Sequence, residues 1–150
     1  TASPNSHSWL VTLVSPRMFD EFVVQYQLPI LENFGLVHYG CCENLTNKIR
    51  VLRQIKNLRS IAVAPLADLP RCAEQIGSDY VISWRPNPTD MICSGFDRER
   101  IKNTLREGLT AARGCAVHIN LKDIETVEGQ PERLAKWVQT ARDAADSVSH

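Results

Sequence analysis

Short apolar runs alternate with amphipathic segments along most of this chain, in the repeated order strand then helix. The apolar runs predict strands over 36–40, 60–64, 79–84 and 115–121. Apolar residues at three- and four-residue spacing predict a helix after each strand, over 47–54, 69–76, 97–112 and 131–145. Four successive strand–helix units predict an α/β protein with parallel strands.

A further helix is predicted ahead of these units. It begins at Ser15-Pro16, because serine is a favourable N-cap and proline is tolerated at the first helical position. It ends near Gly35, and Pro29 is expected to distort it. Its spacing predicts a single apolar face of Phe19, Phe22, Val23, Tyr26 and Ile30. Residues 1–14 are predicted to be a flexible lead-in to one domain over 15–150.

Alternation within the strands predicts one apolar face and one polar face. In the last strand, His118, Asn120 and Lys122 share the side opposite Val117, Ile119 and Leu121. The matching inward positions of the other strands are His38 and Gly40, Ala62 and Ala64, and Ser83 and Arg85. This pattern favours a barrel wall around a polar lumen over a doubly wound sheet, whose two faces are usually apolar.

Composition narrows the function classes. The 150 residues carry 17 Lys and Arg against 17 Asp and Glu, so no overall charge attracts nucleic acid or an anionic membrane. No apolar run reaches the ~18 residues of a membrane span. The five cysteines predict reduced thiols and a cytoplasmic protein, because their number is odd and their spacing is irregular. No glycine-rich nucleotide-binding fingerprint follows any strand.

Chemically interesting side chains follow the predicted strands, at the end where parallel α/β folds build their sites. They are Cys41, Cys42, Glu43, Asp68, Arg85, Asn87, Lys122 and Asp123. Arg85 is suited to bidentate carboxylate binding. Lys122 and Asp123 are either a unit that orients substrate or a solvated loop pair. Asp68 is expected to cap the helix that follows it.

Several segments resemble the C-terminal half of the uroporphyrinogen decarboxylase superfamily, above all its corrinoid-linked methyltransferase members. These segments are HYGCCENLTNKI, SIAVAPLAD, DYVISWRPNP, INLKDIETV and QPERLAKWV, within residues 15–146. The resemblance implies a TIM barrel, of which this chain would supply strands five to eight. We therefore expect a fragment of a longer chain, a view that the absent initiator Met supports, and a partner that is either the N-terminal half-barrel or a second copy.

The resemblance also implies chemistry. Methyltransferases of this family bind zinc through a His-x-Cys pair and a distant Cys, which suggests His38 with Cys41 or Cys42 as ligands. Here the spacing is one residue longer and LKDIETV lacks the distant Cys, for which Cys93 or Glu43 could substitute. The expected reaction moves a methyl group between a corrinoid, supplied by a partner protein, and a small thiol-type acceptor.

The predicted site combines the two lines of reasoning. Arg85, Lys122 and Asp123 are its expected catalytic residues, and its expected substrate-binding residues are Glu43, Asn87 and His118. Two alternatives stay open. One is a uroporphyrinogen decarboxylase-type carboxy-lyase, and the other is a non-catalytic half-barrel that dimerises or binds a partner.

Overall fold

A computed structural model of the chain describes residues 13–40, 42–93 and 95–148, so most of the predicted lead-in lies outside the described residues. The first helices are α1 (Pro16–Phe19) and α2 (Gln25–Leu31), joined by a π-helical turn over Asp20–Val24. The four strands are β1 (Val37–Tyr39), β2 (Leu58–Val63), β3 (Val81–Trp84) and β4 (Ala116–Ile119). The helices that follow them are α3 (Ile49–Leu52), α4 (Leu69–Ile76), α5 (Arg98–Ala111) and α6 (Glu132–Asp146).

The four strands form one parallel sheet whose spatial order equals their order in the chain, β1-β2-β3-β4. Strand–helix–strand connections are almost always right-handed, so an order that never reverses places all the crossover helices on the same face of the sheet. A doubly wound sheet would reverse its order and carry helices on both faces. The predicted α/β fold of four parallel βα units preceded by helix is confirmed, and its arrangement is that of half a (β/α)8 barrel.

The strand register separates the two faces as the alternation predicts. Ile61 is aligned with Ile82, which is aligned with Val117, on the face that packs into the helix-covered core. On the opposite face, Ala62 is aligned with Ser83 and Ser83 with His118. The helix-covered face therefore holds the core, and the other face holds small and polar side chains.

The observed element boundaries agree best with the predicted ones where a capping residue or a glycine marks the end of a helix. Helix α4 spans Leu69–Ile76 as predicted, between Asp68 and Gly77. A π-helical turn over Thr89–Cys93 occupies a segment predicted to be loop. Five residues are too few to show an apolar period, which is why the pattern misses this turn. None of the helices in the described ranges is long and apolar enough to cross a membrane.

The predicted apolar face of the first helix is wrong for three of its five residues, Phe22, Tyr26 and Ile30. Phe19, Val24 and Leu31 are buried, whereas Phe22 and Tyr26 are 60% and 72% exposed. The reason is the π-helical turn at Asp20–Val24. Because a π turn closes i→i+5 hydrogen bonds, it rotates the residues after it relative to an unbroken 3.6-residue period. The helix nevertheless begins as predicted, with Ser15 Oγ accepting a hydrogen bond from the Met18 amide.

Candidate functional site

His38 is the centre of a polar cluster on the face of the sheet away from the helices. Its Nδ1 lies 2.5 Å from Ser60 Oγ on the neighbouring strand, and its Nε2 lies 3.4 Å from Arg85 Nη2. A guanidinium has no acceptor, so Nε2 accepts this hydrogen bond and Nδ1 carries the proton. The strand register places Ser60 opposite His38, and the continuation of β3 brings Arg85 to the same side.

Burial and nearby positive charge both disfavour protonation of the His38 ring. Burial of part of the ring lowers the pKa of His38, and the charges of Arg85, His118 and Lys122 lower it further. A neutral imidazole leaves Nε2 as an acceptor that can orient the Arg85 guanidinium. The structure thus brings together four residues from three βα units that the sequence analysis placed in the site.

A second polar group adjoins the first along β4. The Asn120 side-chain amide donates to Ser83 Oγ at 2.7 Å and lies 3.4 Å from His118 Nδ1. The backbone amide of Asn120 also donates to the Trp84 carbonyl at 2.8 Å, which continues the pairing of β3 with β4. The Asn120 side chain therefore bridges β3 and β4 beside the exposed His118 ring.

The loop after β1 meets the loop after β4 over the carboxyl end of the sheet. Lys122 Nζ donates to Cys42 Sγ at 3.4 Å, and Cys42 Sγ lies 3.5 Å from Asp123 Oδ2. Lys122 and Asp123 form an ion pair at 3.7 Å. Asp123 adopts a positive φ of 59°, a conformation that aspartate tolerates better than most residues.

Two predicted substrate-binding residues make other contacts. Asn87 Oδ1 accepts from the Thr89 amide at 3.1 Å and its Nδ2 donates to Asp90 at 2.8 Å, so this side chain caps the π-helical turn. The charge of Glu43 acts on Tyr39 and Lys48. Tyr39 lies on the core side, where its hydroxyl donates a hydrogen bond to Gln27 Oε1 at 2.7 Å. The described contacts of Glu43 and Asn87 therefore place neither with His38.

The predicted zinc ligands can be tested for fit in part. Cys41 lies outside the described residues, and within the described part no group of three or more His, Cys, Asp or Glu side chains is arranged to hold a metal ion. Both ring nitrogens of His38 have hydrogen-bonding neighbours, and Lys122 contacts the Cys42 sulfur. Cationic neighbours disfavour a divalent cation. The described residues do not form a zinc site by themselves, and zinc binding by His38 with Cys41 or Cys42 stays a prediction.

Three members of the cluster were missing from the predicted site residues: Ser60, Ser83 and Asn120. Each was available from strand alternation, since Ser60 has the same parity as Ala62 and Ala64, and Ser83 and Asn120 occupy inward positions. Serine and asparagine carry little chemical signal by themselves. Their role in orienting the two histidines follows only from the cross-strand register.

No protein-family model, curated protein or solved structure matches this chain. The resemblance to the uroporphyrinogen decarboxylase superfamily accordingly stays a prediction that depends on the quoted motifs.

Proposed function

We propose that this chain supplies half of a barrel-type enzyme site that binds a small-molecule carboxylate at the carboxyl ends of its strands. The observations that carry the proposal are the 3.4 Å contact of Arg85 Nη2 with His38 Nε2 and the position of His118 and Lys122, which lie near enough for their charges to lower the pKa of that ring. A guanidinium matches the two oxygens of a carboxylate, and an ammonium adds a second positive charge. Neutral His38 would hold the Arg85 guanidinium in place, because its Nε2 accepts a hydrogen bond from Arg85 Nη2.

Among the activities that the resemblance implies, a cationic site favours the decarboxylase-type carboxy-lyase, because carboxylates are the charged groups of its substrate. Arg85 and Lys122 would bind a carboxylate, and His118, held by Asn120, would contact the rest of the ligand. Asp123 would keep the Lys122 ammonium in position through their ion pair. The methyltransferase needs a zinc site that the described residues do not supply, so it remains a prediction.

The test is a titration with succinate, a dicarboxylate probe, followed through the imidazole NMR signals of His38 and His118. We expect both signals to shift saturably in the full chain, and the shifts to be lost in Arg85→Met and Lys122→Met. Arg106→Ala, which removes an exposed cation from α5, is the matched control and should bind like the wild type. Unshifted imidazole signals, or equal losses in all three variants, would refute the proposal.

A second candidate, a half-barrel that pairs with complementary βα units, has its own support. Strands β1 and β4 each have one neighbour in the described sheet, and unpaired edges invite further strands. In the helical segment that precedes β1, the apolar side chains of Phe22, Tyr26 and Ile30 are exposed. Contiguous exposed apolar side chains mark interaction surfaces.

The native mass of the full chain tests this candidate. If the partner is a second copy of the chain, we expect a dimer that dissociates in Phe22→Ser and Tyr26→Ser. Thr104→Ser, an exposed change in α5, should leave the native mass unchanged. A stable monomer that binds succinate would instead show that the chain works without complementary units.

A further inference from the structure

An open polar cavity of about 500 Å³ lies at the protein surface between α3 and α4, on the helix-covered side of the sheet. It is lined by Asn47, Arg50, Arg53, Arg71, Glu74 and Gln75. Five of these six side chains are exposed, so a ligand here would stay partly in contact with solvent. None of these residues belongs to the His38 cluster, which occupies the opposite face of the sheet.

Positive charge dominates this cavity. Three arginines face one carboxylate, Glu74, and none of the ion pairs in the described chain joins Glu74 to any of them. Arg53 is paired with Asp79 at 2.7 Å, whereas Arg50 and Arg71 form no ion pair among the described residues. Two guanidinium charges at the cavity wall are thus not neutralised by a carboxylate contact.

Two of the guanidinium groups are held in position. Arg53 donates to the Gln75 carbonyl at 2.7 Å and lies 5.5 Å from the centre of the Tyr80 ring. Arg71 Nη2 donates to Asn47 Oδ1 at 3.1 Å. A guanidinium has five N–H donors, so these bonds leave donors on both groups for a ligand. Because the groups are already ordered, a ligand would lose less side-chain entropy on binding.

From this geometry we infer a second ligand site, for a compact small-molecule oxyanion. Phosphoryl and carboxyl groups both match the guanidinium fork. The apolar part of such a ligand is small, because the cavity wall offers only the alkyl portions of polar side chains. The site goes beyond the proposed carboxylate site at the strand ends and does not depend on it.

The experiment titrates the full chain with pyrophosphate in one arm and citrate in the other, at constant ionic strength, and follows the backbone amide signals of Asn47, Arg71 and Gln75. We expect saturable shifts with a Kd near or below about 1 mM. Saturation by pyrophosphate alone identifies a phosphoryl ligand, and saturation by citrate alone identifies a carboxyl ligand. Shifts that stay linear in both arms would overturn the inference.

Variants separate a defined site from general charge attraction. Arg50→Ala and Arg71→Ala should each weaken binding about three- to fivefold, the size expected for a partly solvated ion pair. Glu74→Gln should tighten binding, because it removes the one lining carboxylate. Arg85→Met should leave this binding intact, which distinguishes failure here from failure at the strand ends. If Arg106→Ala weakens binding as much as Arg50→Ala, the inference is wrong.

Discussion

Lys122 Nζ contacts Cys42 Sγ at 3.4 Å, although the two residues follow strands at opposite edges of the sheet. Four strands span about 14 Å between the first and the last at the usual spacing of ~4.8 Å. The loops after β1 and β4 must therefore reach toward each other over the carboxyl end of the sheet. This contact brings the first and fourth βα units to one mouth, beside His38 and Arg85.

Alkylation of Cys42 should report this contact. Cys42 is exposed, whereas burial raises the pKa of the Cys72 and Cys115 thiols. Because the thiolate is the reacting form, we expect iodoacetamide to modify Cys42 faster than Cys72 or Cys115. The measurement is site-resolved peptide mass spectrometry that separates Cys42 from Cys41.

Matched variants of the two charged neighbours give opposite expectations. Lys122→Met removes the ammonium that favours the thiolate and should slow the alkylation of Cys42. Asp123→Asn removes a negative charge 3.5 Å from the sulfur and should speed it. An alkylation rate of Cys42 that is the same in both variants as in the wild type would contradict the contact between the two loops.

His38 should make stability depend on pH near neutrality. Its folded-state pKa lies below its ordinary value of 6.5, so the unfolded chain takes up the proton first as the pH falls. The free energy of unfolding is then highest above about pH 6.5 and decreases through the interval between the unfolded and folded pKa values. Urea unfolding from pH 7.5 to 5 should show a smaller acid loss in His38→Gln than in the wild type.

An NMR titration of the His38 ring supplies the direct measurement. We expect a midpoint below 6.5 in the wild type. The midpoint should move upward in Arg85→Met, because that variant removes a positive charge beside Nε2. An unchanged midpoint in this variant would contradict a contribution of the Arg85 charge to the pKa of His38.

The sequence was sufficient to predict features that depend only on residues close together in the chain. Alternation in 115–121 correctly separated His118 from Val117, and Asp68 and Gly77 marked the ends of α4. The first helix shows where prediction from periodicity fails: the π-helical turn at Asp20–Val24 interrupts the 3.6-residue period, so periodicity assigned Phe22 to the wrong face.

The candidate site likewise combines features that follow from the local sequence with contacts that depend on the arrangement of the strands. Strand ends located Arg85 and Lys122, since the carboxyl edge of a parallel sheet follows from strand order, and alternation placed His38 on the same face. The partners of these residues are cross-strand contacts, such as Ser60 with His38, and depend on register. No spacing rule in the chain indicates that Cys42 and Lys122, 80 residues apart, would meet.

The N-cap of α4 should contribute measurably to stability. Asp68 Oδ1 accepts a hydrogen bond from the Arg71 amide at 3.0 Å, which satisfies one of the free donors at the helix start. Asp68→Ala should lower the free energy of unfolding by about 1 kcal/mol. Asp68→Asn preserves an acceptor and should lower it by only about a few tenths of a kcal/mol. Equal losses in the two variants by urea unfolding would show that the cap bond is not the cause.

Gly108 in α5 is expected to be indispensable for packing against β3. A Cβ at this position would lie 2.1 Å from Cη2 of the buried Trp84 ring. Gly108→Ala should therefore destabilise the protein by about 1–3 kcal/mol, although alanine is otherwise favoured over glycine in a helix by ~1 kcal/mol. Urea unfolding of Asn103→Ala, an exposed change in the same helix, should show no loss.

A double-mutant cycle assigns this loss to the ring. Trp84→Leu alone should be destabilising, because it leaves a cavity in the core. In the presence of Trp84→Leu, however, Gly108→Ala should cost little or become favourable, since the atoms that the new methyl group would strike are gone. Strictly additive losses in the double variant would mean that the glycine is required for a reason other than the approach of Trp84.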